Sequence, residues 1–507
     1  MAFDLSQSMQ LIAALTPDIV MMVGGMVLML VSAWGPESSQ RQRTVGVASI
    51  WVCVVSAVVV IYFMVIHATA GVGVIAVDNF RWIVDLVLLA ATAGTLALMM
   101  DYNAREEILP GEAHVLVLFA TSGMMILAAA RDLTIVFLGI ELMSIAVYIL
   151  AGMNRRSEKS AEGAIKYFLL GAFSTGFLLY GIALVYGATG TTNLTLIGSR
   201  IAAHEVMSAP MLLVGIGLML IGFAFKVALA PFHMWAPDVY EGAPTPITAY
   251  MAAAVKAAAF AAFLRIFLEA FGSEIPTWHV AIWWLAAITM VVGNVIALAS
   301  KDIKRLLAYS SIAHAGYILV VLSAGQSLGS SAFLFYIVAY TLATFGAFGV
   351  IVALGQAGEP YLNVDDYAGL WTVRPWLSVA MAVCMLSLLG FPIFGGAGFF
   401  AKWYVIQAAL QAPEPQVRLV VLLVLTSVIS AGYYMYVVLV MFMKPRGEIA
   451  NVADSRTVGS ATKWVIGLST VILLALGVYP SALVSLTQRG SAPLHSPAPQ
   501  MSQVYRR

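Results

Sequence analysis

Residues 211–238 read MLLVGIGLMLIGFAFKVALAPFHMWAPD, an apolar run that contains one lysine, Lys226, with Pro231 five residues after it. The part that precedes Lys226 carries no charge, as expected of a segment that crosses the hydrocarbon core of a bilayer. Pro231 has no backbone N–H to donate, so it ends or kinks a helix. The stretch therefore predicts a membrane helix that carries a buried cation and breaks close to it.

The composition of the whole chain agrees with a membrane protein. Its 507 residues are 61% hydrophobic and only 10% charged, with a mean hydropathy of +0.93. A soluble globular domain carries roughly 25% charged residues, so a water-soluble fold is excluded. The net charge of +1 offers no clustered basic excess, which argues against a nucleic-acid partner.

The sequence also argues against a cofactor site or a metal site in this chain. Cys53 and Cys384 are the two cysteines, too few for an iron–sulfur cluster that is held by about four thiolates. Neither a dinucleotide-binding glycine motif nor a phosphate-binding loop occurs. Any redox chemistry is therefore expected in another protein.

Apolar runs bounded by charges, glycine or proline predict an all-α, polytopic membrane protein with about fourteen membrane helices. The predicted bounds are 19–34, 44–66, 82–100, 114–130, 133–151, 163–186, 211–235, 246–268, 280–299, 303–322, 331–354, 375–410, 417–441 and 464–483. The twelfth helix is too long for one straight crossing, because ~36 residues at ~1.5 Å each span ~54 Å against ~30 Å of hydrocarbon. It is therefore predicted to break, as is the seventh.

Lysines and arginines are unevenly distributed between the predicted loops. About fourteen lie in the odd-numbered loops, among them Arg456, whereas the even-numbered loops hold only Arg81, Arg131, Arg200 and Arg418. The positive-inside rule then places the odd-numbered loops in the cytoplasm and both termini on the periplasmic side. The basic tail with Arg506 and Arg507 does not fit this orientation, although residues far from a helix end count for little.

Four lysines fall inside predicted helices rather than in loops: Lys166, Lys226, Lys256 and Lys402. Each costs roughly 2.5 to 3.5 kcal/mol at the centre of a membrane helix, so a functional role is the stronger interpretation for the three deeper ones. Lys166 lies only a few residues inside its helix, where a snorkelling or structural role is equally expected. Desolvation lowers the pKa of a buried amine towards neutral pH, so such lysines can exchange protons.

Two carboxylates lie in apolar surroundings. Glu141 is deep within an apolar run, whereas Asp85 lies nearer the start of the third predicted helix. A lone carboxylate in hydrocarbon either takes up a proton or approaches a cation. The buried lysines are the available cations for Glu141.

A second helix breaker precedes Lys402, in residues 388–402, which read LLGFPIFGGAGFFAK. Broken helices at membrane depth line cavities or are buried in protein, and breaks in two halves of a chain are typical of transporters. The two breaks lie five predicted helices apart. We therefore predict two inverted five-helix repeats, 113–270 and 271–445, flanked by the N-terminal helices 1–112 and by the C-terminal helix and tail 446–507.

Two histidines are candidate proton carriers. His314 lies mid-helix, where it can bridge Lys256 to Lys402. His233 follows the first break and is either a relay or a neutral residue that is bonded to a freed carbonyl.

Four sequence blocks carry a family resemblance: GIELMSIAVYIL at 139–150, SAEGAIKYF at 160–168, FKVALAPFHMWAPDVYEGAPTP at 225–246 and DIKRLLAYSSIAHAGY at 302–317. These blocks resemble the antiporter-like membrane subunits of respiratory complex I, the NADH:quinone oxidoreductase. The resemblance covers nearly the whole chain.

The resemblance implies roles for the buried residues. Glu141 and Lys226 would form a charge pair, Lys256 would be the central relay, and Lys402 the last lysine before the next subunit or the outside. Lys166 matches a further lysine of the family. One departure is the turn before the last lysine, usually Gly-x-Pro-Pro-x-x-Gly-Phe, which reads GFPIFGGAGFF here.

The resemblance further implies a multi-pass subunit of the bacterial cell inner membrane that translocates protons. Quinone reduction in other subunits would drive it, so NADH, FMN, iron–sulfur clusters and quinone are expected in those partner subunits and no redox centre in this one. Its expected partners are the other membrane-arm subunits, including neighbouring antiporter-like subunits, and membrane lipids.

Two alternatives stay open on the sequence. Buried lysines alone do not distinguish a proton relay from a cation/proton (Na+/H+) antiporter subunit of the same superfamily. A structural scaffold of the membrane arm, in which the lysines only hold helices together, is the second alternative.

Overall fold

The computed structural model describes residues 5–34, 38–68, 73–108, 110–324, 327–393, 395–447 and 457–491. Within these ranges the chain is predominantly helical. Numbered in chain order, the helices are α1 (Leu5–Ala14), α2 (Thr16–Ala33), α3 (Ser39–Val65), α4 (Asn79–Arg105), α5 (Glu112–Ala129), α6 (Leu133–Ala151), α7 (Glu158–Thr189), α8 (Leu194–Ala202), α9 (Ala209–Lys226), α10 (Trp235–Gly242), α11 (Thr245–Glu269), α12 (Ile275–Ala299), α13 (Ile303–Ala324), α14 (Ser327–Leu354), α15 (Pro375–Leu389), α16 (Ala397–Leu410), α17 (Val417–Met443), α18 (Ser460–Val478) and α19 (Ser481–Ser491).

Of the described helices, 13 are long and apolar enough to cross a membrane. The shorter helices α15 and α16 cover the twelfth predicted helix with a break between them, so the all-α polytopic fold and the break in that helix are confirmed. The short helices α1, α8, α10 and α19 were not predicted. Arg456, Arg506 and Arg507, which entered the charge argument, lie outside the described residues.

Two predicted helix bounds are wrong. The predicted break in the seventh helix is confirmed, but the helical part is shorter than the expected bounds 211–235, because α9 ends at Lys226 and α10 begins only at Trp235. The chain leaves the helix before Pro231, because Ala228 already adopts the left-handed region with φ +59°. The last predicted helix, 464–483, is likewise divided into α18 and α19, on either side of Pro480.

Aspartate side chains set the start of three long helices. Asp78 accepts a hydrogen bond from the backbone N–H of Arg81 (2.8 Å) at the start of α4, and Asp132 accepts one from Thr134 (2.8 Å) at the start of α6. Asp302 accepts a hydrogen bond from the backbone N–H of Arg305 (2.8 Å) at the start of α13. Each carboxylate satisfies a backbone donor that the first helical turn leaves free.

The centre of the bundle is formed by α11 and α13. In both helices, 94% of the apolar 18-residue stretch is buried within the chain, whereas the share is 22% in α3 and α18. Large apolar side chains on the outer helices therefore face lipid or another protein, whereas polar groups on α11 and α13 lie in the protein interior.

Two isolated β-bridges link corresponding loops in the two halves of the chain. One joins Asp132 to Asn193 and the other joins Asp302 to Asn363, with the same spacing along the sequence. In each case the aspartate also caps the helix that follows, α6 or α13. This correspondence supports the predicted five-helix repeats, although their boundaries and inverted relation stay a prediction.

Candidate functional site

Three of the four lysines predicted inside helices are buried in the interior of the bundle. Lys226 lies at the end of α9, Lys256 on α11 and Lys402 on α16, and their side chains belong to residues with 4%, 4% and 7% exposure. None of the three has a carboxylate within ion-pair distance among the described residues. Each ammonium group is held instead by neutral oxygens and aromatic rings.

Lys226 occupies the first helix break. Its Nζ donates a hydrogen bond to Ser144 Oγ at 2.5 Å and lies 5.6 Å from the ring centre of Tyr148 and 5.8 Å from that of Tyr167. Ser144 in turn donates to the backbone carbonyl of Ile140 on the same helix, α6. The hydroxyls of both tyrosines are buried without a hydrogen-bond partner in the described structure, which leaves polar groups free beside the lysine.

The backbone groups that the first break frees find partners nearby. Trp235 Nε1 donates to the carbonyl of Phe225 at 3.0 Å, and the backbone N–H of Ala230 donates to Thr289 Oγ1 at 3.0 Å. Non-helical backbone is tolerated at membrane depth only when its polar groups are satisfied in this way. His233 lies half-buried within the break.

Glu141 and Lys226 are not in direct contact, but the negative charge of Glu141 acts on Lys226, so their charge pair stays a prediction. Glu141 is half-buried on α6, on a side of the helix where Leu138 and Ile145 are more than half exposed. Lys226 contacts Ser144, one helical turn further along the same helix, in its place. The buried hydroxyl of Ser144, rather than the Glu141 carboxylate, thus makes the direct contact with the lysine.

Lys256 begins the second α-helical part of α11, directly after the π-helical turn Met251–Val255. Its Nζ donates to Ser311 Oγ at 2.5 Å and to the Ser311 carbonyl at 2.8 Å, both on α13. The ring centre of Tyr240 lies 5.9 Å away. Single π-turns of this kind are frequent at functional sites, because they displace one side chain from the regular helical register.

A column of aromatic rings lies between Lys226 and Lys256. Tyr167 beside Lys226 stacks on Trp235 at 4.4 Å, and Trp235 contacts Tyr240 beside Lys256 at 6.3 Å between ring centres. The hydroxyls of Tyr167 and Tyr240 are both buried without a partner in the described structure. Both can therefore bind an ordered water, since buried polar groups are costly when unpaired.

His314 lies between Lys256 and Lys402, as predicted. Its Nδ1 is hydrogen-bonded to the Tyr336 hydroxyl at 2.6 Å and its Nε2 to the Tyr434 hydroxyl at 3.1 Å. A neutral imidazole has one nitrogen that donates and one that accepts, and a tyrosine hydroxyl can do either. The two tyrosines therefore fix the position of the ring, while its proton can be on either Nδ1 or Nε2.

Two small cavities flank His314. One is lined by His314 together with Lys256 and Ser311, and the other by His314 together with Lys402, and each offers about 10 Å³ to the centre of a water molecule. Each has room for about one water molecule. His314 thus belongs to the lining of both cavities, as does Tyr340.

Lys402 spans the second helix break. Its Nζ donates to the carbonyl of Leu389, the last residue of α15, at 2.8 Å and to Ser427 Oγ at 3.1 Å. It also lies 4.7 Å from the ring centre of Tyr317, whose hydroxyl accepts from Asn294 Nδ2. The lysine therefore satisfies one of the carbonyls that the end of the half-helix leaves without a backbone donor.

The fourth predicted lysine, Lys166, lies outside this buried line. Its side chain is 41% exposed and forms ion pairs with Glu162 at 2.6 Å and with Asp238 at 2.9 Å. Asp238 also pairs with Arg305, so these residues form a charged network at the surface of α7, α10 and α13.

Sequence reasoning missed the groups that hold the lysines. They are hydroxyls and aromatic rings: the lysines contact Ser144, Ser427, Tyr148, Tyr167, Tyr240 and Tyr317, and His314 between two of them is held by Tyr336 and Tyr434. Ser144 had a usable signal, because it follows Glu141 by one helical turn in the same apolar run. The others lie in apolar helices where a serine or tyrosine is ordinary, so only the tertiary structure identifies them.

Comparison with known proteins gives consistent matches. Residues 130–430 match the family described as NADH:quinone oxidoreductase/Mrp antiporter, transmembrane. The chain is 49% identical over 506 residues to NADH-quinone oxidoreductase subunit N of Gemmatimonas aurantiaca, which covers 97% of this chain and 96% of the relative. It is 45% identical over 482 residues to the subunit N of Trichlorobacter lovleyi, covering 93% and 95% of the two chains.

Solved structures show the same fold. A chain of respiratory complex I from Thermus thermophilus with bound aureothin superposes with a TM-score of 0.77 at 35% identity, covering 93% of this chain and 99% of that one. A chain of the Mrp complex from Dietzia superposes with a TM-score of 0.82, covering 96% and 97%. Because the latter is only 21% identical, it shows the common fold alone.

Proposed function

Because the chain belongs to the NADH:quinone oxidoreductase/Mrp antiporter family and, within it, to the subunit N group, we propose that it translocates protons as a membrane subunit of NADH-quinone oxidoreductase (complex I). The observation that carries this proposal is the line of three buried ammonium groups with His314 between two of them. A buried lysine that no carboxylate compensates is costly, so it is retained where its charge must change.

In the proposed mechanism the charge on each lysine alters the proton affinity of the next. A proton on Lys226 disfavours one on Lys256, because like charges repel strongly in surroundings of low dielectric constant. The proton of Lys256 then passes through water and His314 to Lys402. One unit of pKa change corresponds to about 1.4 kcal/mol, so small displacements are sufficient to switch occupancy.

The driving energy would come from electron transfer elsewhere in the complex. NADH, FMN, iron–sulfur clusters and quinone would be bound by other subunits, and this chain would supply no redox centre. Its two cysteines are both buried in apolar surroundings, which supports a purely ionic role for this subunit.

The position of Glu141 suggests how the subunit meets its neighbour. A half-buried carboxylate in the middle of a membrane helix is unfavourable against lipid, and Glu141 has no ion-pair partner among the described residues. We expect a cation of an adjacent membrane-arm subunit, of antiporter-like or related type, to lie against this side of α6. The proposed location is the bacterial cell inner membrane, with both termini on the periplasmic side and the remaining surface against lipid.

Replacing Lys226 by Ala in the assembled complex tests the relay. We expect assembly and electron transfer to persist while the number of protons moved per electron, measured in proteoliposomes, falls sharply. Lys444→Ala is the matched control, because Lys444 is an exposed lysine that pairs with Asp365 outside the buried line. Full pumping by the Lys226 variant would refute its role in the relay.

The same preparation separates the two alternatives. A scaffold function predicts that alanine at Lys226, Lys256 or Lys402 lowers the yield of the complex without altering protons per electron. A cation/proton antiporter predicts that transport depends on sodium. A relay for protons predicts neither result.

A further inference from the structure

A second group of buried charges lies apart from the lysine line, where α2 and α4 begin. Asp18 on α2 and Asp85 on α4 both approach the guanidinium of Arg81, and the three residues are at most 1% exposed. Arg81 Nη2 lies 2.6 Å from Asp18 Oδ2, while its Nε lies 3.3 Å from Asp85 Oδ2. Two buried carboxyl groups thus share one cation.

The two carboxyl groups are not held equally. Asp18 has a short hydrogen bond from Arg81, whereas neither oxygen of Asp85 has a hydrogen-bond partner in the described structure. Arg81 Nη1 donates to the carbonyl of Ala76 at 3.0 Å, and Nε, the Arg81 atom nearest to Asp85, forms no hydrogen bond in the described structure. A buried carboxylate without a donor is strongly disfavoured, and a protonated carboxyl is not.

The adjoining charges leave Asp85 without compensation. Asp78 at the start of α4 binds both terminal nitrogens of Arg265 on α11, at 2.8 and 3.0 Å. Glu269 pairs with Arg265 and with Arg131. The cluster therefore contains four carboxyl groups, Asp18, Asp78, Asp85 and Glu269, and three guanidinium groups, Arg81, Arg131 and Arg265.

Such a cluster is neutral only when one of its carboxyl groups holds a proton. Arg489, on the neighbouring helix α19, is exposed and does not enter the cluster in the described structure. The unpaired oxygens identify Asp85 as the group that carries the proton.

We propose that Asp18, Arg81 and Asp85 form a proton-binding site separate from the lysine line, in which Asp85 is a carboxylic acid and Asp18 the carboxylate paired with Arg81. The site is independent of the proposed relay, since it shares no residue with it. It is connected to α11, the helix of Lys256, through Asp78 and Arg265.

Infrared spectroscopy of the full-length chain in lipid nanodiscs at neutral pH tests the proposal. The carboxylic C=O band of the wild type is expected to disappear in Asp85→Asn. It is also expected to disappear in Asp18→Asn, although Asp85 is present there, because Asp85 then becomes the ionised partner of Arg81. Asp78→Asn should remove the band as well, because three carboxyl groups then face three guanidinium groups. In the control Asp365→Asn, which replaces an exposed carboxylate that pairs with Lys444 outside the cluster, the band should persist.

Thermal unfolding of the same variants gives a second, independent measure. Asparagine has the shape of a neutral aspartic acid, so Asp85→Asn should unfold at the temperature of the wild type, whereas Asp78→Asn should unfold at a clearly lower one. A C=O band that survives in Asp85→Asn or in Asp18→Asn overturns the proposal. So does an Asp85→Asn protein that fails to fold or is destabilised as much as Asp78→Asn.

Discussion

The two helix breaks place a lysine in the interior in different ways. At the first break, Lys226 is the last residue of α9 and donates to a side chain of another helix, Ser144 on α6. At the second, Lys402 lies beyond the break on α16 and donates back to the carbonyl of Leu389, where α15 ends. The first lysine is thus attached to a neighbouring helix and the second to the break itself.

This difference has a consequence for how each lysine is coupled to the fold. The backbone at the first break is satisfied by Trp235 and Thr289 and does not need the lysine. At the second break, the ammonium group of Lys402 is one of the donors that satisfy the backbone. A change in the charge of Lys402 therefore alters the break directly, whereas a change at Lys226 acts on α6 and its surroundings.

The largest effect is expected from Gly398→Ala at the second break. An added Cβ would overlap the carbonyl oxygen of Ser387, so α15 and α16 would have to separate. Overpacking of this kind costs about 3 kcal/mol. Thermal unfolding of the full chain measures it, and Gly217→Ala on α9 is the control, because open space surrounds that glycine. Equal stability of the two variants would contradict the close packing at the second break.

Removing each lysine in turn tests the comparison itself. Lys402→Met leaves the carbonyl of Leu389 buried without this donor, whereas Lys226→Met leaves Ser144, which still donates to Ile140. An unsatisfied buried polar group costs about 1–3 kcal/mol. We expect Lys402→Met to have the lower free energy of unfolding by about 2 kcal/mol. The reverse order would show that the second break does not depend on its lysine.

A smaller effect on stability, which depends on pH, is expected from Glu359, because this residue helps to hold the chain that follows the first break. Glu359, in the loop after α14, accepts a hydrogen bond from Thr245 and pairs with Lys304 at 3.0 Å, while Lys304 also donates to the Ala243 carbonyl. Burial alone would raise the pKa of Glu359, but Lys304 and Thr245 bring it below its ordinary value. The ionised carboxylate therefore stabilises the fold above about pH 4.5, and this contribution is lost as the pH falls through the lowered pKa.

Glu359→Gln removes that contribution at neutral pH, with an expected loss of about 1 kcal/mol. The unfolding temperatures of the wild type and the variant should converge on acidification, when both carry a neutral side chain. A constant difference between them at every pH would exclude the ion pair as its cause.

The smallest effect concerns the backbone of the two breaks. Ala228 at the first break adopts φ +59°, a region that costs a residue with a Cβ about 1 kcal/mol. At the second break a glycine, Gly390, takes φ +78°, although Ile393 there also has a positive φ, +72°. Ala228→Gly should relieve this strain, but glycine also increases the conformational entropy of the unfolded chain. The net result is a free energy of unfolding that is higher by about 0.5 kcal/mol. Gly390→Ala should lower it by about 1 kcal/mol. Changes of the same sign in both variants would contradict this assignment of strain.

Much of the fold could be predicted from the sequence, because membrane helices are long apolar runs and breakers are proline and glycine. The all-α polytopic fold and the breaks in the seventh and twelfth predicted helices agree with the structure. The bound of α9 could not be predicted, since the chain leaves the helix at Ala228, an ordinary helix former. The π-turn before Lys256 is likewise invisible in an alanine-rich stretch.

For the candidate site, the sequence by itself determined which groups are charged in the membrane, because a lysine in an apolar run is expensive wherever its helix packs. Only the tertiary structure decided what each charge contacts. Contacts between helices depend on packing rather than on distance along the chain, so Ser144 rather than Glu141 meets Lys226, and Lys166 reaches the surface. The same packing brings Asp18 and Asp85 to one guanidinium, which no local pattern could have shown.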